Sequence, residues 1–95
     1  MKLGKEFMLN NLTLVKKFVN IVNKYPNEIT VGTGRYVVNG KSILGLFSLD
    51  LEKPVTVFVD SATPKESMDI VEEIFVTLYD IERRDWDWWI QEDLK

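Results

Sequence analysis

Asn39-Gly40-Lys41-Ser42-Ile43-Leu44-Gly45-Leu46-Phe47-Ser48-Leu49 breaks the patterns on either side of it. A polar, glycine-containing lead-in runs into an apolar stretch too brief for an ordinary helix. Ser42 stands at the junction, where its hydroxyl can accept from an unpaired backbone N–H and cap a first turn. A short helix over about residues 43–49 is therefore predicted. Ile43, Leu44, Leu46, Phe47 and Leu49 are more apolar side chains than one face of so short a helix can bury. Some of them are expected at the surface, and clustered exposed apolar groups mark a docking surface. Core packing is the competing reading of Ile43, Leu44 and Phe47. This stretch points to binding rather than catalysis.

The segments on either side are more regular. Upstream, residues 28–33 alternate Ile29 and Val31 with polar positions, Gly32 and Gly34 supply a turn, and residues 35–39 return as a partner strand. Downstream, a polar loop over 50–54 precedes Val55-Thr56-Val57-Phe58-Val59, the strongest strand signal in the chain, with its valines on one face. Thr63, Pro64 and Glu66 then announce a helix through a Thr-x-x-Glu capping box with proline at the first position. Its predicted buried stripe is Met68, Val71, Ile74, Phe75, Leu78 and Ile81. Near the N-terminus, Asn10 and Asn11 are candidate caps for a helix burying Val15, Phe18, Val19 and Val22, with a solvated lysine face. Tyr25-Pro26 ends it. A weak strand is expected over residues 5–9. Strands in hairpins with helices on one side make an α+β two-layer sandwich.

Composition narrows the chemistry. The 95 residues suffice for one domain with a single core. The chain contains no cysteine and no histidine. The first absence removes disulfides and thiolate chemistry; the second removes the commonest general base, metal ligand and phosphoryl-accepting imidazole. A formal net charge of −3 argues against nonspecific binding to nucleic acid or anionic membrane. The N-terminal segment is interrupted by Glu6, Asn10, Asn11, Lys16 and Lys17, unlike a signal peptide, and no run approaches a membrane span. A cytoplasmic protein is expected. Glu72-Glu73 and Asp85-x-Asp87 read as solvated faces, and the glycines at 32 and 34 lack the rest of a phosphate-loop fingerprint. No enzyme, cofactor or metal site is expected.

The order of elements, with the run from Val38 to Leu49 and its Lys-Ser-Ile-x-Gly-x-x-Ser-Leu pattern, resembles the HPr family, the small phosphocarriers of the bacterial sugar phosphotransferase system. The likeness spans about residues 11–82. It implies an open-faced β-sandwich, a four-stranded antiparallel sheet with three helices on one side. It also implies that Ser42 matches the serine phosphorylated by HPr kinase in some bacteria. Ile43, Leu44 and Phe47, with Lys41, would form the partner-docking patch, while Leu46 and Leu49 would point inward. The family's phosphohistidine stands at the N-terminus of the first helix, where backbone N–H groups and the helix dipole stabilise a phosphoryl group. Counting without gaps places Asn11 at that position. An amide does not accept a phosphoryl group, so relay from Enzyme I through histidine is excluded by composition.

Residues 1–82 are therefore expected to form an HPr-like domain, and residues 83–95 an acidic, Trp-rich extension outside the family pattern. All three tryptophans, Trp86, Trp88 and Trp89, fall in this extension. They serve either to cover the domain by folding back or to bind another chain, including a second copy. The expected function is a non-catalytic regulatory or protein-binding module, with Enzyme I, HPr kinase or a transcriptional co-regulator as partner. The alternative is an oligomerising protein that uses the fold as a scaffold and the tail as its interface.

Overall fold

The computed structural model describes residues 2–79. The elements run β1 (Lys2–Phe7), α1 (Leu12–Val22), β2 (Ile29–Thr33), β3 (Tyr36–Asn39), α2 (Ile43–Phe47), β4 (Val55–Asp60) and α3 (Pro64–Tyr79). The strands form one sheet in the order β1-β4-β2-β3, with every neighbouring pair antiparallel.

The valine alternation of β4 sets the inner face. Val55, Val57 and Val59 are all fully buried. Register places Leu3 and Ile29 abreast of Val59, and Val31 abreast of Val57, so three strands present apolar side chains to the same side. Against that side α1 packs Val15, Phe18, Ile21 and Val22, α2 packs Leu46, and α3 packs Ile70, Val71, Ile74 and Leu78. The four-stranded open sheet with three helices is the expected architecture.

Several details differ from the sequence expectations. The first strand lies at 2–7 rather than 5–9, because pairing with β4 fixes its register from Lys2↔Asp60 to Phe7↔Val55. Leu9 is fully buried although it lies beyond the strand. Gly32 belongs to β2, opposite Val37 and Thr56, and the hairpin turn rests on Gly34, whose φ of 53° favours a residue without a Cβ. On α3, Met68 and Phe75 are only partly buried, while Ile70 and Ser67 are buried. Ser67 is tolerated there because its hydroxyl lies 3.2 Å from the Val59 carbonyl oxygen, as a donor, and contacts Ser61 Oγ at 2.5 Å. Thr63 Oγ1 accepts from the Glu66 N–H at 3.2 Å, but the Glu66 carboxylate accepts from Asn27 Nδ2 rather than closing the box. Ile81 lies outside the described residues.

Tyr79, the last described residue of α3, is pinned to the chain just beyond β1. The Tyr79 hydroxyl accepts from the Met8 N–H at 2.8 Å and donates to the Met8 carbonyl at 2.6 Å. Its ring packs with Phe75 (4.8 Å between centroids) and Phe7 (6.2 Å). Burial raises the Tyr79 pKa, and the hydrogen bond with Met8 opposes this in part.

A folded-state pKa above the unfolded phenol value means that the protonated ring favours the fold. This contribution is complete below about pH 10 and is lost as pH rises through the folded value. Urea unfolding should therefore show an alkaline loss of stability that is smaller in Tyr79→Phe than in the parent; an identical loss would refute the assignment. Leu46→Ala should cost about 2–5 kcal/mol as a buried truncation. Leu44→Ala should stay within about 0.5 kcal/mol, as expected of a surface change.

Candidate functional site

The lead-in to α2 is shaped by close backbone approach. The Gly40 N–H donates to the Ile29 carbonyl at 2.8 Å, and a Cβ at Gly40 would stand 3.0 Å from that same oxygen. Glycine lets the chain turn tightly off β3 and deliver Ser42 to the helix start. Ser42 is extended (φ −103°, ψ 112°), and its Oγ accepts from the Gly45 N–H at 3.1 Å. The cap read from the sequence is present, and Ser42 remains partly exposed. At the other end Ser48 is the C-cap, so the helix is shorter than the predicted 43–49.

Alpha-helical spacing then divides the apolar run. Leu46 is fully buried and Leu49 nearly so, as expected of inward-facing positions. Leu44 is 81% exposed and Phe47 49% exposed. Being three apart, they lie on one side of α2. Ile43 is only partly accessible and packs against the core. The Lys41 ammonium is held by the Tyr25 carbonyl oxygen at 2.5 Å, and Lys41 lines a separate depression with Pro26, Asn27 and Val38. Leu44 and Phe47 are thus the exposed members of the expected patch, Ile43 is half-buried beside them on the same short helix, and the Lys41 ammonium is engaged by Tyr25.

The second half of the site comes from α1. Asn11 is its N-cap, extended at φ −150° and ψ 161°, with Oδ1 accepting from the Leu14 N–H at 2.9 Å. An N-terminal amide that an incoming anion would otherwise use is already satisfied by the side chain. Asn11, Leu12 and Phe47 line one shallow depression of about 270 Å³, floored by Leu9, Val15 and Leu49. Leu12 is 51% exposed. Its spacing from Val15 would assign it to the buried stripe of α1, so the sequence pattern alone does not reveal its exposure. Asn11 and the α2 patch are therefore neighbours in space although they are far apart in sequence.

Among the described residues, no group of three or more acidic, histidine or cysteine side chains could hold a metal ion. No described helix is long and apolar enough to cross a membrane. Trp86, Trp88 and Trp89, the expected tail interface, lie outside the described residues, as does the proposed boundary between 82 and 83.

Residues 13–76 match the family model described as PTS-HPr, "PTS HPr component phosphorylation site". The matched span contains Ser42 and the whole of α2 and starts after Asn11. No curated protein matches the sequence. Among solved structures, the phosphocarrier protein HPr from Bacillus anthracis str. Ames is similar, with a TM-score of 0.65 at 20% identity, covering 81% of this chain and 96% of that one. HPr-C-His from Thermoanaerobacter tengcongensis is similar too, with a TM-score of 0.60 at 20% identity, covering 83% of this chain and 97% of that one. Identities this low establish the fold; the family rests on the model match, which spans well over half of the sequence. The chain belongs to the HPr family, the phosphocarrier family of the phosphotransferase system.

Proposed function

We propose that this HPr-family chain is a cytoplasmic, non-catalytic regulatory or protein-binding module of the bacterial phosphotransferase system. The observation that carries the reading is the exposed pair Leu44 and Phe47 on α2, with Leu12 and Asn11 beside Phe47. A histidine relay has no residue to run on, since the chain contains none. The cap formed by Asn11 also occupies a backbone N–H at the helix end where a phosphoryl group would be received.

What remains is a surface suited to recognition. Leu44 and Phe47 project from a helix whose inner residue, Leu46, fixes it to the core, so they are presented without large ordering cost. Fully burying a side chain of this size is worth about 1.5–3 kcal/mol. Enzyme I, HPr kinase or a transcriptional co-regulator would supply the complementary groove. Ser42 is the candidate switch. Phosphorylation there would add about 1.5 to 2 negative charges at the start of α2, two positions from Leu44. The apolar partner surface would then meet a strongly hydrated charge at its edge.

The oligomerising alternative rests on the tail at residues 83–95, outside the described residues.

Titration of the protein against Enzyme I, HPr kinase and a phosphotransferase-linked co-regulator from its own genome should reveal binding to at least one. Leu44→Ala should weaken that binding about tenfold, or ~1.4 kcal/mol, while leaving stability unchanged. Absence of binding to all three would sink the proposal. Incubation with phosphoenolpyruvate and Enzyme I should leave the intact mass unchanged; an added phosphoryl group would point to a carrier working through another residue. Ser42→Ala should lower stability by about 1 kcal/mol through loss of the cap. Ser42→Asp should retain the cap and weaken partner binding, and equal binding by Ser42→Asp and the parent would remove Ser42 from the switch.

A further inference from the structure

A second apolar depression lies at the junction of α3 and β1. It encloses about 440 Å³ and is lined by Glu6, Phe7, Met8, Pro54, Phe75 and Tyr79. Its aromatic wall is fixed by the two hydrogen bonds between Tyr79 and Met8 and by the ring contacts among Phe7, Phe75 and Tyr79. A preformed aromatic wall of this kind favours an incoming ring packed edge-to-face or offset.

Four features of the chain bear on the occupant. Tyr79, itself a wall residue, is where the described residues end, so the following segment starts at the mouth of the depression. Residues 80–95 contain every tryptophan of the protein, at 86, 88 and 89. Seven residue steps from Tyr79 to Trp86 span at most about 25 Å, ample for a reversal back to a site that begins at Tyr79. The charges also match. Glu6 is the one ionisable lining group apart from the Tyr79 phenol, it is exposed, and Arg83-Arg84 immediately precede the tryptophans.

We infer that the Trp86–Trp89 segment of the same chain docks intramolecularly in the Phe7–Phe75–Tyr79 depression, with Arg83 or Arg84 facing Glu6. Tethering gives the segment a local concentration of roughly millimolar, an advantage over the same segment of another molecule. The surface concerned is separate from the Leu12–Leu44–Phe47 patch, so the inference stands apart from the proposed regulatory role.

Because all tryptophans lie in this segment, their emission reports on it alone. Acrylamide quenching of the full chain should be severalfold weaker than that of N-acetyltryptophanamide and independent of protein concentration. Pro54→Arg, which blocks the mouth, or Glu6→Arg, which reverses the facing charge, should restore quenching with an unchanged far-UV circular dichroism spectrum. Leu44→Arg, on the other patch, should leave the protection intact. Quenching as strong as that of the free compound would overturn the inference. So would protection retained in both depression variants, protection lost only in Leu44→Arg, or protection that fades on dilution as the sedimenting mass falls to that of a monomer.

Discussion

Both edges of β4 must be paired at once, and neither partner is the strand that precedes it in the chain. β1 comes from the far N-terminus, and β2 is separated from β4 by β3 and α2. Such long-range pairing is repaid by the apolar side chains it brings into line, with Leu3, Val59 and Ile29 in one row and Val57 and Val31 in the next. All of these point to the side where the helices pack. With β3 placed at the outer edge, the chain has to cross from that edge back to the middle of the sheet to begin β4. The crossing is made by α2 and the loop after it.

This crossing explains the character of the candidate site. A helix of five residues at the margin of the core can insert one side chain fully, and Leu46 takes that place. Leu44 and Phe47 are left facing outward by the same geometry. The cap at Ser42 and the close approach of Gly40 to Ile29 hold the short helix in a single orientation, although its length alone would not stabilise it in isolation. The start of α1 lies alongside, so Asn11 and Leu12 join a surface whose other half is read from the middle of the sequence. Asn11 satisfies its own helix end, which makes the position a structural cap.

The legible parts of the molecule were those governed by local rules. The alternation of Val55, Val57 and Val59 marked a strand with one buried face, and Thr63-Pro64 marked the start of α3. Ser42 was readable as a cap, and Leu46 and Leu49 as inward-facing residues. The illegible parts depended on remote neighbours. Glu66 has the spacing of a capping box, yet Asn27 from a distant loop takes its carboxylate. Lys41 stands in sequence beside the expected docking patch, and only the fold brings the Tyr25 carbonyl to its ammonium. Ser67 is polar in sequence and buried in the fold because the Val59 carbonyl and Ser61 satisfy its hydroxyl.

The sequence by itself determined the types of the elements, the buried face of β4, the cap at Ser42 and the absence of histidine from these 95 residues. These follow from side-chain periodicity, local hydrogen-bonding capacity and composition, none of which requires knowledge of a distant contact. Only the tertiary structure decided that Leu12 stays exposed and stands with Phe47, that Ile43 leans inward, and that Tyr79 closes α3 onto Met8. Burial is a property of what packs over a residue, and here the covering elements come from parts of the chain that local spacing does not connect.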